Sequence, residues 1–178
     1  EFTMMELYEA YADYNVMMEI TEQLISTAAE AVCGSLQLPY GERTINYATP
    51  WRRAQYSDLF AEHAGVAMSD IPAVRAKARE LHIDEAGKDD AVVINIVFEA
   101  TVEPALERLD HPVFVVDYPA ALCPLTRRKA DDPDTALRFE LYIAGMEIAN
   151  AYTELNDPDI QEANFRQQLR GEDDETMR

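Results

Sequence analysis

An apolar stripe between residues 13 and 33 is the feature that most constrains the fold. Its members recur three and four residues apart, as on one side of a helix: Met17, Ile20, Leu24, Ala28 and Val32, flanked by Met18, Ile25 and Ala29. Gly34, just after the stripe, suits the C-terminal cap of a helix. The pattern predicts a helix of about five turns that lies on another apolar surface.

Strand patterns occur at both ends of the chain. Residues 2–8 alternate as in a strand, with Phe2, Glu6 and Tyr8 on one face. Residues 112–116 form the β-branched and aromatic run typical of a buried strand. Near the other end, two predicted strands are joined by Ala144-Gly145: residues 139–143 and 147–155.

The segments between these strands have mostly helical patterns. They predict helices over 57–64, 72–81 and 89–106, with a kink or an end at Pro104, and a last helix over 157–169. A short hairpin is predicted over 36–47 and a loop over 124–133. Strands at both ends with helices between them favour an α+β fold, in which helices flank a largely antiparallel sheet.

Composition excludes several classes of protein. The 178 residues carry a net charge of −19, which rules out a basic nucleic-acid-binding module. A hydrophobic content of 48% indicates one folded domain and not a disordered acidic tail. Two cysteines are too few for a disulfide framework, and the sequence shows neither a signal-peptide pattern nor an apolar stretch of membrane-spanning length. We therefore expect a soluble cytoplasmic protein that does not enter a membrane.

The densest group of polar residues lies between positions 138 and 157. In the second strand of this region Asn150, Tyr152 and Glu154 share one face, because side chains alternate along a strand. Glu147 has the opposite parity, so it joins that face only if a bulge intervenes near Ala149.

An acidic and aromatic pocket forms if the Glu6 and Tyr8 face belongs to the same sheet. Carboxylates pair with an ammonium group, and a tyrosine ring packs along an alkyl chain, so this pocket suits a small cationic ligand. Glu140 and Glu147 could instead hold a divalent ion, since Mg²⁺ prefers one or two carboxylates together with phosphate oxygens. The alternative interpretation is an ordinary solvated acidic hairpin.

The sequence resembles class II lysyl-tRNA synthetases in five segments. Residues 1–14 resemble the second strand of motif 2 in that family, and residues 138–157 resemble its lysine-site hairpin. Residues 114–119 and 123–127 are similar to the family's intervening strand and loop, and residues 171–177 to its run-up to motif 3. These segments follow the family's order along essentially the whole chain. The resemblance implies part of a class II catalytic domain.

The resemblance implies a lysine-binding role for five residues. Glu6, Tyr8 and Glu154 resemble the groups around the substrate ε-ammonium. Asn150 resembles the partner of the lysine carboxylate, and Tyr152 occupies the aromatic position that packs on the lysine side chain.

The resemblance also implies a nucleotide site. Phe2 resembles the ring that stacks on adenine, and Glu140 and Glu147 resemble the pair that binds Mg²⁺ and holds the phosphates of ATP. The family's reaction joins lysine and ATP to form lysyl-adenylate and then transfers lysine to tRNA. Its members are expected to be homodimers.

By the same resemblance, residues 1–178 form a partial catalytic domain. We expect it to lack the OB-fold anticodon domain, motif 1, the first half of motif 2 and motif 3. A motif 2 arginine stabilises charge in the transition state, and loss of such a group commonly lowers the rate on the order of 10²- to 10³-fold. The chain alone is therefore expected to be inactive, and lysyl-adenylate formation by it would refute this.

Two other functions stay open. The paralogue that lysylates elongation factor P shares the catalytic core, and a fragment that binds lysine without catalysis would keep the same pocket. Aspartyl and asparaginyl relatives are disfavoured, because their substrates lack a side-chain ammonium for Glu6 and Glu154 to neutralise.

Overall fold

A four-stranded sheet lies at the centre of the fold in the computed structural model, which describes residues 3–168. Within these residues the chain forms six strands and six α-helices. The strands are β1 (Gln37–Tyr40), β2 (Arg43–Asn46), β3 (Arg52–Gln55), β4 (Val113–Pro119), β5 (Thr135–Ile143) and β6 (Met146–Tyr152). The helices are α1 (Tyr14–Cys33), α2 (Tyr56–Ala64), α3 (Ile71–Glu80), α4 (Asp90–Thr101), α5 (Glu103–Leu106) and α6 (Pro158–Gln168).

Four of the strands form the main sheet in the order β3-β4-β5-β6. The β4–β5 and β5–β6 pairs are antiparallel, and β3 joins β4 in parallel. Strands β1 and β2 form a separate antiparallel hairpin. The predicted α+β fold, with helices flanking a largely antiparallel sheet, is confirmed.

Strand β4 is buried on both faces, which explains its continuous β-branched and aromatic sequence. On one face Val113 and Val115 join a core built with α2, α3 and α4. On the other face Phe114 and Val116 join a core built with α1 and the β1–β2 hairpin. The sheet therefore lies between two helical layers, and the predicted strand at residues 112–116 is confirmed.

Helix α1 is confirmed, but the side that packs is not the central row of the predicted stripe. Tyr14, Met18 and Ala29 are buried, whereas Val32 is 84% exposed. Contacts at the first turn fix this rotation: the Tyr14 backbone N–H donates to Thr153 Oγ1 at 3.1 Å, and the Tyr14 hydroxyl donates to Asp117 Oδ1 at 2.9 Å. Once Tyr14 faces the sheet, helical spacing also turns the residues that flank the predicted stripe, Met18, Ile25 and Ala29, toward the protein interior.

One local prediction was wrong, and one strand was missed. Residues 3–8 form no strand, because no described neighbour pairs with them and alternation alone does not complete a ladder of hydrogen bonds. Strand β3 was missed because its residues are polar apart from the buried Ala54. The helix predicted over 89–106 is present as α4 and α5, and the break between them lies beside Pro104, where a kink or an end was predicted, since proline cannot continue the preceding helix.

The remaining elements lie close to their predicted positions. The hairpin over 36–47, the helices near 57–64 and 72–81 and the last helix from Pro158 are all present. Among the described residues, no helix combines the length and the apolar character needed to cross a membrane.

The turn between β5 and β6 positions the polar region identified in the sequence. Ala144 and Gly145 have φ values of 54° and 81°, the left-handed conformation that a two-residue hairpin turn requires. Gly145 also packs closely against α5, because a Cβ atom at this position would lie only 2.8 Å from the Cβ of Glu107.

We predict that Gly145→Ala destabilises the protein more than Gly87→Ala does. Both glycines have positive φ values, so alanine costs about 1–2 kcal/mol at either position. A Cβ at Gly87 meets nothing within 4 Å, whereas overpacking at Gly145 adds about 1–3 kcal/mol. Urea unfolding of the two variants measures this difference, and equal losses would show that the hairpin tolerates the added atom.

Candidate functional site

One face of β5 and β6 carries the polar residues that the sequence singled out. Arg138, Glu140 and Tyr142 alternate along β5 and therefore share this face. Their register partners across β6 are Tyr152, Asn150 and Glu147, respectively. Partners in register project to the same side of a sheet, so the structure brings together four of the eight predicted site residues: Glu140, Glu147, Asn150 and Tyr152.

A bulge brings Glu147 onto this face. The register passes from Leu141 opposite Ala149 to Tyr142 opposite Glu147, which leaves Ile148 as the extra residue of β6. Asn150 Nδ2 donates a hydrogen bond to Glu147 Oε1 at 2.9 Å. The bulge expected near Ala149 is therefore present, and both glutamates of the predicted metal pair lie on one face.

Glu140 is held by three hydrogen-bond donors. The hydroxyls of Tyr118 and Tyr142 donate to its Oε2 at 2.7 and 2.8 Å. Arg138 Nη2 donates to its Oε1 at 2.5 Å and forms an ion pair with the carboxylate. Glu140 is only 9% exposed, so a buried carboxylate is paired and hydrogen-bonded, as its burial requires.

Burial and charge keep the two tyrosine hydroxyls protonated. Burial raises the pKa of Tyr118 well above its ordinary value, and the charge of Glu140 adds to the rise. The pKa of Tyr142 is raised in the same way, first by burial and then by Glu140. Both hydroxyls are therefore hydrogen-bond donors at neutral pH.

Tyr152 shares the polar face of β6 with Asn150. Burial raises the pKa of this tyrosine, and the negative charges of Glu154 and Glu6 raise it further, while Arg138 opposes them. Glu154 follows β6 and is connected to Thr126 by an isolated bridge. The hydrogen bond from the Tyr14 backbone N–H to Thr153 Oγ1 places the start of α1 beside the end of β6, although residues 3–8 are not a strand of the sheet.

This part of the site is open to solvent. Glu6, Glu154 and Asn150 are exposed, and Tyr8 is 76% exposed. Within residues 3–168, neither Glu6 nor Glu154 takes part in an ion pair. Phe2, the residue expected to stack on adenine, lies outside the described residues, as does the segment 171–177.

An acidic cleft of about 390 Å³ adjoins the polar face. Glu99, Glu103 and Glu107 line it from α4, α5 and the residue after α5, and Gly145 and Met146 line it from the hairpin turn. Burial raises the pKa of Glu103, and the charge of Glu99 is the next cause. The Tyr142 hydroxyl also lies 3.4 Å from Glu103 Oε1, which connects the cleft to the group around Glu140.

A second cleft, of about 460 Å³, lies on the surface of α6 and contains no predicted site residue. In the described part of the chain, no group of three or more histidine, cysteine, aspartate or glutamate residues is arranged to hold a metal ion. A divalent ion could therefore use only one or two protein carboxylates here. Glu140 and Glu147 are the pair that shares a face.

Sequence reasoning missed the residues that surround Glu140. Arg138 and Tyr142 have the same parity as Glu140, so strand alternation could have placed them beside it. Tyr118 carries no such signal, because a register shift at Asp117, whose φ is 65°, returns it to the face of Val115. Glu103 was also missed, although Glu99, Glu103 and Glu107 are spaced four residues apart.

Comparison with known proteins gives consistent matches. The family model for tRNA synthetases class II (D, K and N) matches residues 1–178. A lysine–tRNA ligase of Clostridium tetani is 44% identical over 96% of the chain, and one of Carboxydothermus hydrogenoformans is 46% identical over 95% of it. The matched region is 35% of each relative, so the chain spans about a third of the length of these proteins.

We predict that Glu103→Gln stabilises the fold at pH 7. A glutamate whose pKa is raised by folding is less favourable when ionised in the folded state, so stability falls as pH rises through its titration. The amide carries no charge and avoids this loss. Urea unfolding should give a higher midpoint for the variant at pH 7, and the difference should shrink as pH falls towards about 4.3, the ordinary value for glutamate, and be small below it.

Glu19→Gln is the matched control, since it removes one negative charge from an exposed position on α1. A gain in Glu19→Gln as large as that in Glu103→Gln would mean that net charge alone is responsible. A gain that persists undiminished at acidic pH would also contradict the prediction.

Proposed function

The chain belongs to the class II tRNA synthetases of the D, K and N group, and from that membership we propose that its protein is a lysine–tRNA ligase. In this proposal lysine reacts with ATP to form lysyl-adenylate, and the lysyl group is then transferred to tRNA. The observation that carries the choice of lysine is that the relatives matched over 95–96% of the chain are lysine–tRNA ligases. The exposed Glu154, which follows the β6 face of Asn150 and Tyr152, supports this choice.

Lysine suits this group of side chains because it combines an alkyl chain with a terminal ammonium. A carboxylate forms a charge-assisted hydrogen bond with an ammonium, and a tyrosine ring attracts a cation over its face. We assign Glu6, Tyr8 and Glu154 to the ε-ammonium and Tyr152 to the side chain. Aspartate and asparagine offer no positive group to these acids.

We assign the α-carboxylate of lysine to Asn150. Its amide nitrogen is directed along β6 to Glu147, where it donates a hydrogen bond. The amide has a second N–H, and the side chain is exposed. Phe2 is assigned to the adenine ring of ATP from the sequence resemblance alone.

Glu140 and Glu147 are assigned to Mg²⁺, and their chemistry fits this ion. An ionised carboxylate has about four acceptor positions, and Glu140 uses three of them. Glu147 has one oxygen bonded to Asn150, which leaves the other available. A bound Mg²⁺ supplies positive charge to the phosphates of ATP, and two carboxylates with phosphate oxygens form the ligand set it prefers.

We propose that residues 1–178 are part of a catalytic domain and that other regions contact most of the tRNA. The net charge of −19 is unfavourable for phosphate binding, and the relatives are about three times as long as this chain. Homodimer formation and a cytoplasmic location belong to the same proposal.

The proposed function predicts lysine-dependent exchange of pyrophosphate into ATP by the full-length protein. Activation is reversible, so label from pyrophosphate should enter ATP when lysine is present and not when aspartate or asparagine replaces it. Exchange stimulated by aspartate or asparagine would overturn the choice of substrate. Absence of exchange with all three amino acids would overturn the proposed reaction.

We further predict that Glu154→Gln weakens lysine binding by about 10-fold, because the amide keeps an acceptor oxygen but loses the charge that strengthens its hydrogen bond with the ammonium. Binding of norleucine, which has the same alkyl chain but no ammonium, should be unchanged. Calorimetry with both ligands measures the two affinities, and Glu19→Gln controls for net charge. Equal losses for both ligands would mean that Glu154 acts on the fold of the pocket and not on the ammonium.

A further inference from the structure

Two tyrosine hydroxyls converge on one oxygen of Glu140. Tyr118 approaches Oε2 from β4 and Tyr142 approaches it from β5, at 2.7 and 2.8 Å. The Arg138 guanidinium binds the other oxygen. Because the three donors come from different positions, the carboxylate cannot rotate about its last bond without breaking at least one hydrogen bond.

We propose that Tyr118 and Tyr142 are positioning residues that hold the carboxylate of Glu140 in the orientation in which it binds a divalent cation. This inference rests on the proposed function, which assigns Glu140 and Glu147 to that cation. Neither tyrosine is itself assigned to the cation or to a substrate.

The two tyrosines are themselves immobilised. Tyr118 is 4% exposed and Tyr142 is 5% exposed. The ring of Tyr118 lies between that of Tyr56, with centroids 5.0 Å apart, and the guanidinium of Arg138, at 5.1 Å. The Tyr142 hydroxyl also lies 3.4 Å from Glu103 Oε1, but its single proton is donated to Glu140 at the shorter distance. Donors fixed in this way transmit the rigidity of the core to the carboxylate they bind.

Stability alone does not account for this arrangement. Burial of a charged pair is weak evidence for stabilisation, because apolar residues of similar volume are often as good or better. On the same face of the sheet, closer to β3, apolar residues fill the corresponding positions, because Val113 and Val115 pack directly against helices. The three hydrogen bonds to the buried carboxylate of Glu140 are therefore better explained by the fixed orientation that they give this carboxylate.

Tyr56 provides a matched control within the same core. It is fully buried and stacks on Phe98 with centroids 4.0 Å apart. Its hydroxyl has no hydrogen-bond partner among the described residues. Tyr56→Phe thus makes the same chemical change as Tyr118→Phe but removes no bond to Glu140.

Manganese binding tests the proposal without relying on catalysis. Mn²⁺ is titrated into the full-length protein with ATP and into ATP alone, and the free ion is measured by electron paramagnetic resonance. The difference between the two titrations gives the ion bound through the protein. We expect Tyr118→Phe and Tyr142→Phe each to weaken Mn²⁺ binding by about 10- to 100-fold, as is typical when a residue that orients a metal ligand is lost. Tyr56→Phe should bind Mn²⁺ as the original protein does, and Glu140→Gln should lose most of the binding.

The outcomes separate this inference from the proposed function. Unchanged Mn²⁺ binding in both tyrosine variants, with loss in Glu140→Gln, would overturn the positioning role and leave the metal assignment intact. Equal losses in Tyr56→Phe and Tyr118→Phe would also overturn it, since general loosening of the core would explain them. Unchanged binding in Glu140→Gln, or no binding by the original protein, would overturn the metal assignment and the inference with it. If Tyr118→Phe fails to fold, Tyr142→Phe decides the question.

Discussion

The alternation of side chains along β5 is the constraint on which both the fold and the candidate site depend. Phe139, Leu141 and Ile143 face the core beneath α1, so the residues between them must face the opposite side. A slip of one residue in register would move the whole apolar set onto the polar face and bury the charged set in its place. Packing of three apolar side chains thereby holds Glu140 on the face where the other predicted site residues lie.

The two halves of the candidate site differ physically. Around Glu140 the charges are buried and each has a partner, so their geometry is fixed by the core. Around Tyr152 the acids are exposed, and water and salt screen exposed charges strongly. Exposed carboxylates alone bind an ammonium weakly, so strong binding of lysine depends on what covers this face when substrates are present. ATP and other regions of the protein are the groups that the proposed function would place there.

Sequence patterns predicted what depends on neighbours along the chain and failed where distant contacts decide. The turn at Ala144-Gly145 and the helix after Asp13 both have local signals, and the structure contains each of them. The bulge that brings Glu147 onto the polar face was only a condition that the sequence left open, and the structure meets it. Strand β3 becomes a strand only by pairing with β4, about 60 residues further along the chain. Residues 3–8 show the reverse case. Their sequence alternates as in a strand, but no described strand pairs with them, so they do not form one. The position of Tyr118 beside Glu140 depends on the register shift at Asp117, which the periodicity of the sequence does not predict.

Concentration of acids at one edge of the sheet connects the stability of the fold to ligand binding. Glu103 is unfavourably ionised because it is partly buried and lies near Glu99, Glu140 and Glu147. A cation that binds Glu140 and Glu147 would lower the local negative potential and so favour ionisation of Glu103. Proton release would then accompany binding, as it does wherever a cation stabilises the charged form of a nearby acid. Repulsion among these carboxylates lowers the stability of the fold, and the same repulsion would favour binding of a cation at this edge of the sheet. A bound cation would then neutralise part of the acidic cluster in place of the protein's own basic residues.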